Sequence, residues 1–321
     1  MRGTQTDGPP KEMTDLPDFV RLGDGRVVTY VDGGDPSGYP VFGLHGTPGC
    51  RLNRWPDDDL YRSAGVRYIT TDRAGYGQSS RHRGRTVADE ASDVLAVADA
   101  LGIERFCVVG GSGGGPHALA CAALLARRVE RVACQSSVAP LGEGGMTRDD
   151  WLEGMSAEIA LELEWAEAGE EVLELELVAA QRRMEERMAF DPGSLLGEDV
   201  SESDRDFLLR PNVVEAFTRI VAEQSSHGVG GSVDDTLAFS RAWGFDLAAI
   251  TVPVLLTYGV QDVAAPVGQG RWLAAHIPTV QVWESQTGGH LPEEPEVEIA
   301  QTLAWLTGQS GAQRVGYPTP A

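Results

Sequence analysis

Lysine is almost missing from this 321-residue chain: Lys11 stands alone against 25 arginines. A phosphate-cradling Walker loop, which needs a lysine after its last glycine, is therefore excluded. Positive charge is scarce altogether, with 26 Lys and Arg against 48 Asp and Glu and a formal net charge of −22. Such a surface repels phosphates, so no nucleic-acid partner is expected. Cysteine is scarce too. Cys50, Cys107, Cys121 and Cys134 show neither metal-ligand nor disulfide-framework spacing. Three of them lie in apolar strand or helix contexts, where a free thiol acts as a small hydrophobe. No metal and no cofactor is expected. Long apolar runs are absent: none approaches the ~18 residues that cross a bilayer. The first ten residues contain no apolar signal core. The expectation is a soluble cytoplasmic protein with a small-molecule substrate and no membrane partner. A homo-oligomer is compatible with the sequence but not indicated by it.

Short apolar runs at 26–31, 41–44, 66–71, 106–109, 131–136, 252–258 and 279–283 read as strands. Helical periodicity falls between them at 87–101, 116–126, 268–276 and 293–306. Strands alternating with helices predict a mostly parallel central sheet covered on both faces, an α/β fold. The rhythm breaks between about 139 and 250. There helical stretches at 149–169, 170–188, 204–209, 213–224 and 234–243 follow one another without a convincing strand. An insertion so late in an α/β sheet reads as a helical cap over the edge where ligands bind. The expected division is a core at 16–138 and 248–308, a cap at 139–247, and loose ends at 1–15 and 309–321. Residues 141–210 hold 20 Asp and Glu against 6 Arg, read as a solvated outer face rather than a binding feature.

The chemistry centres on Gly110-Gly111-Ser112-Gly113-Gly114, a G-x-S-x-G between a strand and a helix signal. A strand-to-helix turn this tight strains the serine and leaves no room for side chains two residues to either side. It lifts the serine hydroxyl into the open at a helix N-terminus, which favours negative charge. Two other readings compete. One is a plain flexible glycine loop. The other is a dinucleotide fingerprint over 113–118, which lacks its acidic residue because Glu130 precedes the next strand rather than ending it. Asp262 lies on the loop after the strand at 252–258, and His290 between the last strand and last helix, 28 residues on. Both loops should emerge on the sheet edge that carries Ser112. The order Ser, Asp, His is the one this architecture requires. The turn His45-Gly46-Thr47-Pro48-Gly49 follows a central strand and can aim the Thr47 N–H inward, with the Gly113 N–H as a second oxyanion donor. His45 reads as a structural group that bonds the turn. Gly110 and Gly114 supply the close approaches, and Gly46 belongs with His45 to the structural part of its turn.

Together with Asp72-Arg73-Ala74-Gly75-Tyr76-Gly77-Gln78-Ser79, these motifs resemble the α/β-hydrolase superfamily, in its serine-esterase and proline-iminopeptidase-like branches. The resemblance covers nearly the whole chain outside the ends, though the cap matches only in placement. It implies the α/β-hydrolase fold and a serine hydrolase with Ser112, Asp262 and His290 as its triad. The expected activity is cleavage of a carboxylic ester, thioester or lactone of a small apolar substrate through an acyl-enzyme. The same residues also suit acyl transfer, cyclisation, cofactor-free base chemistry or an iminopeptidase-like amidase. Two positions depart from the family. Gly113 stands where iminopeptidases usually carry tryptophan, which weakens a peptidase reading, and Ala74 stands where Arg or Pro is common. Trp151, Trp165, Phe190, Phe207, Phe217, Phe239 and Trp243 are candidates for an apolar pocket, although aromatics at helical spacing more often belong to a core.

Overall fold

A computed structural model describes residues 17–309, so apart from Gln309 the two ends expected to be loose lie outside the described residues. Eight strands build the fold: β1 (Asp18–Arg21), β2 (Val27–Gly34), β3 (Tyr39–Leu44), β4 (Val66–Thr71), β5 (Phe106–Gly111), β6 (Val129–Gln135), β7 (Val254–Gly259) and β8 (Val280–Ser285). They form one sheet in the order β1-β2-β4-β3-β5-β6-β7-β8. β1 and β2 run antiparallel to their neighbours, and every pairing from β4 to β8 is parallel. The central strands are apolar and buried on both faces, as a helix-covered parallel sheet demands.

Helices α1 (Asp58–Ser63), α2 (Glu90–Ala100) and α3 (Gly114–Leu124) connect the first strands. Between β6 and β7 the chain runs through α4 (Arg148–Leu152), α5 (Ala157–Ala168), α6 (Glu170–Phe190), α7 (Glu202–Leu208), α8 (Pro211–Gln224) and α9 (Gly230–Phe239). α10 (Val267–His276) and α11 (Pro295–Leu306) complete the set. α2, α3 and α10 bury their apolar sides on one face of the sheet, around Phe42, Val108 and Leu256. α1 and α11 cover the other, around Val41, Cys107 and Leu255. All four cysteines are buried free thiols. No described helix is long and apolar enough to cross a membrane.

From β3 the chain moves outward to β4, then crosses back to β5 on β3's other side. The loops after β3 and β5 thus flank a switch in winding direction, where open α/β sheets form a crevice.

The elements match the sequence expectation with local differences. β2 passes the expected stop at Asp32 because its ladder with β4 continues to Gly34 opposite Arg67, whose guanidinium pairs with Asp32 at 2.6 Å. β1 is an edge strand of four residues, mostly exposed and too short to leave a periodic signal. The stretch 149–169 breaks into α4 and α5 at Gly154, whose φ of +82° ends the first helix. The last insertion helix starts four residues earlier than expected, at a glycine pair. Gly231 there lies against the Tyr76 ring, leaving no room for a Cβ.

Candidate active site

Ser112 follows the last residue of β5 with φ +52°, the left-handed region that side chains other than glycine avoid. The strain is held in place by hydrogen bonds. Its N–H donates to Gln135 O at 2.7 Å, and its carbonyl accepts from the Gly115 N–H at 2.9 Å, opening α3. A Cβ on Gly110 would strike the Gly114 carbonyl, and one on Gly114 the Leu44 carbonyl. The two glycines of the motif are therefore steric requirements of the turn.

The loop after β3 closes against the other side of Ser112. A Cβ at Gly46 would stand 3.2 Å from Ser112 Cβ, and one at Gly113 would stand 3.1 Å from the Thr47 nitrogen and collide with Thr47 Oγ1. Thr47 and Gly113, the two expected oxyanion donors, are thus neighbours beside the serine. His45 is buried and bonds the turn. Its Nε2 accepts from the Arg73 N–H at 3.0 Å, so its Nδ1 carries the proton and donates to Gly46 O at 2.7 Å. Burial, reinforced by the Arg73 charge, holds this imidazole neutral well below the usual histidine range.

On the far side, His290 Nδ1 lies 2.9 and 3.0 Å from the two carboxylate oxygens of Asp262. Asp262 is oriented in turn by the N–H groups of Ala264 and Ala265, both at 2.8 Å to Oδ1. The His290 backbone is held at both ends: its N–H donates to Asp204 Oδ2 at 3.0 Å, and its carbonyl accepts from the Ser136 hydroxyl at 2.8 Å. Burial disfavours the imidazolium, but the charge and hydrogen bond of Asp262, assisted by Asp204, outweigh it, so the His290 pKa is raised. Ser112 and His290 open into one cavity of about 330 Å³. Among the described residues their side chains make no direct hydrogen bond. The structure therefore brings all three candidates to one sheet edge and joins Asp262 to His290.

Sequence reasoning missed the groups behind these loops. Asp235 on α9 is fully buried. It accepts from Thr47 Oγ1 at 2.6 Å, Tyr76 Oη at 2.8 Å and Arg73 Nη2 at 2.6 Å, and pairs with Arg85 at 2.7 Å. Burial opposes its charge, but Arg73 and Arg85 prevail and hold the carboxyl well below its usual range. Arg73 also donates to His45 O at 2.8 Å and Gly46 O at 3.1 Å. Asp204 on α7 does the matching work on the histidine loop, accepting the Leu291 N–H at 2.7 Å as well as that of His290. The insertion's acidity is thus only partly a solvated face. A usable signal existed: Asp234-Asp235 is a carboxylate doublet inside a helix that otherwise reads GGSV-TLAF.

Of the candidate pocket aromatics, Phe207 and Phe217 line the cavity. Phe190 is 88% exposed, Trp165 packs on a small cluster around Leu173, and Trp151, Phe239 and Trp243 pack on the α2/α3 side of the core. Met184, Leu195, Ile220 and Val221 are among the other apolar residues of the insertion that line it.

The family profile of the alpha/beta hydrolase fold matches residues 39–294. The 2-hydroxymuconate semialdehyde hydrolase of Pseudomonas putida is 27% identical over 272 residues, covering 84% of this chain and 85% of that protein. The proline iminopeptidase of Xylella fastidiosa is 37% identical over 106 residues, 31% of this chain and 32% of that protein. The enol-lactonase structure from Burkholderia xenovorans LB400 superposes with a TM-score of 0.63 at 19% identity, covering 91% of this chain and 100% of that chain, a likeness of fold. Sheet order, the strained serine turn and the matched span lead to one conclusion: the chain belongs to the alpha/beta hydrolase fold family and is an enzyme of that family.

Proposed function

We propose that this enzyme hydrolyses a carboxylic ester, thioester or lactone of a small, largely apolar substrate through an acyl-enzyme on Ser112. The observation that carries this reading is the Asp262–His290 pair at 2.9 Å facing the cavity into which the strained Ser112 opens. With Nδ1 engaged by Asp262, the free Nε2 of His290 takes the Ser112 proton as Oγ attacks the carbonyl carbon. The N–H groups of Thr47 and Gly113 receive the charge that develops on the carbonyl oxygen, each worth ~3 kcal/mol in comparable sites. Collapse expels the alcohol (or thiol) with the proton returned by His290. Water, deprotonated by the same imidazole, then releases the acid and restores Ser112. Residues 139–247 act as the cap that shapes access, contributing Met184, Phe207 and Phe217 to the cavity that Ser112 lines.

Labelling tests the reading directly. A fluorophosphonate probe should modify Ser112, and Ser112→Ala should abolish both labelling and turnover of short p-nitrophenyl esters. An unmodified Ser112 peptide from labelled wild-type protein overturns it. Acyl transfer is separated by adding a competing alcohol or amine, since a hydrolase yields free acid alone. An iminopeptidase-like amidase would cleave proline amides, and the collision awaiting any side chain at position 113 argues against the tryptophan that branch usually carries.

A further inference from the structure

The cavity does not stop at Ser112. Val109, Tyr68 on β4 and Thr302 on α11 line it as well, from the side of the sheet that α1 and α11 cover. Two glycines lower the floor. A Cβ on Gly111 would meet nothing within 4 Å, and Gly43 leaves the space that the Tyr68 phenol occupies. Gly43 pairs across the sheet with Val109, three residues before Ser112, so the phenol lies roughly 10 Å back along the strand at ~3.3 Å per residue.

Tyr68 is 8% exposed and Thr302 4%. Among the described residues neither hydroxyl has a protein hydrogen-bond partner, although both residues line the cavity. The Tyr68 ring is fixed by stacking on Tyr61 at 4.3 Å between centroids, with the Arg54 guanidinium 5.5 Å from its centre. Arg54 is itself paired with Asp58. Burial raises the Tyr68 phenol to about 12, so it remains a donor across the working pH range. The same cavity is lined by Glu293 and Glu298, whose carboxylates already hold the Ser285 hydroxyl and the N–H groups of Glu293 and Glu294. They disfavour an anionic ligand, whereas the hydroxyls of Tyr68 and Thr302 are each open to a neutral partner.

Sheet order decides which part of the substrate lies here. β4 lies on the opposite side of β5 from β7 and β8, whose loops carry Asp262 and His290. The leaving group takes its proton from His290, so the acyl portion points the other way, toward Tyr68. We propose that Tyr68 and Thr302 form an acyl-end subsite selecting substrates with a neutral oxygen, a hydroxyl or keto group, at the far end of a medium-length acyl chain. A plain alkyl chain that fills this part of the cavity leaves two buried hydroxyls unpaired, whereas an oxygen-terminated chain satisfies them. The inference rests on the ester-hydrolase reading above.

The test compares p-nitrophenyl esters of octanoic acid bearing a plain, ω-hydroxy, ω-amino or ω-carboxy end. The expected result is a kcat/KM about tenfold higher for the ω-hydroxy ester than for the plain one, the scale of one or two neutral hydrogen bonds. Tyr68→Phe and Thr302→Val should each pull that ratio toward one, with melting curves confirming that the variants fold. A wild-type preference for the plain or a charged end, or a ratio that survives both substitutions, overturns the subsite. If the wild type turns over none of the esters, the hydrolase reading fails separately. Calorimetry on Ser112→Ala then reads the subsite without turnover. Tighter binding of methyl ω-hydroxyoctanoate than of methyl octanoate, lost on adding Tyr68→Phe, supports it, and equal binding overturns it.

Discussion

Asp235 Oδ2 accepts a hydrogen bond from the Thr47 hydroxyl at 2.6 Å while meeting Arg73 Nη2 at the same distance. One buried carboxylate on α9 thereby sets the loop that borders Ser112 and pairs with Arg73 and Arg85, both themselves buried. Removing one partner of such a cluster costs far more than the cluster contributes net, because the remaining charges stay buried. Asp235→Asn is therefore expected to lose ~3–5 kcal/mol of stability. Thermal denaturation followed by circular dichroism should show a melting point lowered by roughly 10 °C. A shift of under two degrees would show that the arginines find other partners.

Gly113→Ala tests the Thr47 contact from the other side. The added methyl collides with Thr47 Oγ1, which cannot swing away while Asp235 and Arg73 hold it. Displacing the Thr47 N–H should cost turnover ~100-fold, the usual loss for one oxyanion donor, and the collision should lower the melting temperature by a few degrees. Steady-state kinetics on a soluble ester would reveal it, and a variant with wild-type kcat would dismiss Thr47 as a donor.

Asp204→Asn addresses the histidine loop. As a base, His290 works only when neutral, so kcat/KM must fall as pH drops through its pKa. Burial lowers that pKa, but Asp262 and then Asp204 raise it above the free value, which moves the acid limb upward. Without the Asp204 charge the limb should slide toward lower pH. Asparagine retains only one carbonyl oxygen for the N–H groups of His290 and Leu291, so kcat should fall as well. A pH profile in which kcat drops but the limb stays put would reduce Asp204 to a mechanical prop.

Glu90, buried behind the same arginines, supplies a pH signature of stability. Burial and then repulsion from Asp93 raise its pKa to about 8, against an ordinary value of 4.5. The folded state thus holds a proton that the unfolded chain releases. Its contribution is complete below pH 4.5 and is lost as pH rises through 8. Glu90→Gln removes that loss. The variant should gain on the wild type between pH 5 and 8.5, by on the order of 3 kcal/mol at the upper end, seen as a melting point several degrees higher. Parallel melting curves across that range would refute the shift.

The alternation of short apolar strands with helices was enough to read the sheet, because each central strand is buried on both faces and must be apolar throughout. The placement of Ser112, Asp262 and His290 on one sheet edge was legible because each follows a strand in a fixed order, so position along the chain stands in for position in space. Asp204 and Asp235 were not. Their partners lie 86 and 188 residues away, and local spacing carries no trace of contacts that long. Composition pointed the wrong way as well: in a chain with 48 acidic residues, a few buried carboxylates are hidden by the many that face water. The register of α9 was missed for a related reason, since its start is set by the Tyr76 ring against Gly231 rather than by its own periodicity.

Asp204 and Asp235 both lie in the segment between β6 and β7, yet each ends on a loop that belongs to the sheet. That segment is consequently not an interchangeable module. A chimera carrying a foreign insertion would inherit new cavity walls but would leave the Thr47 turn and the His290 loop untethered. Transplanting specificity into this scaffold would require both carboxylates to travel with the graft.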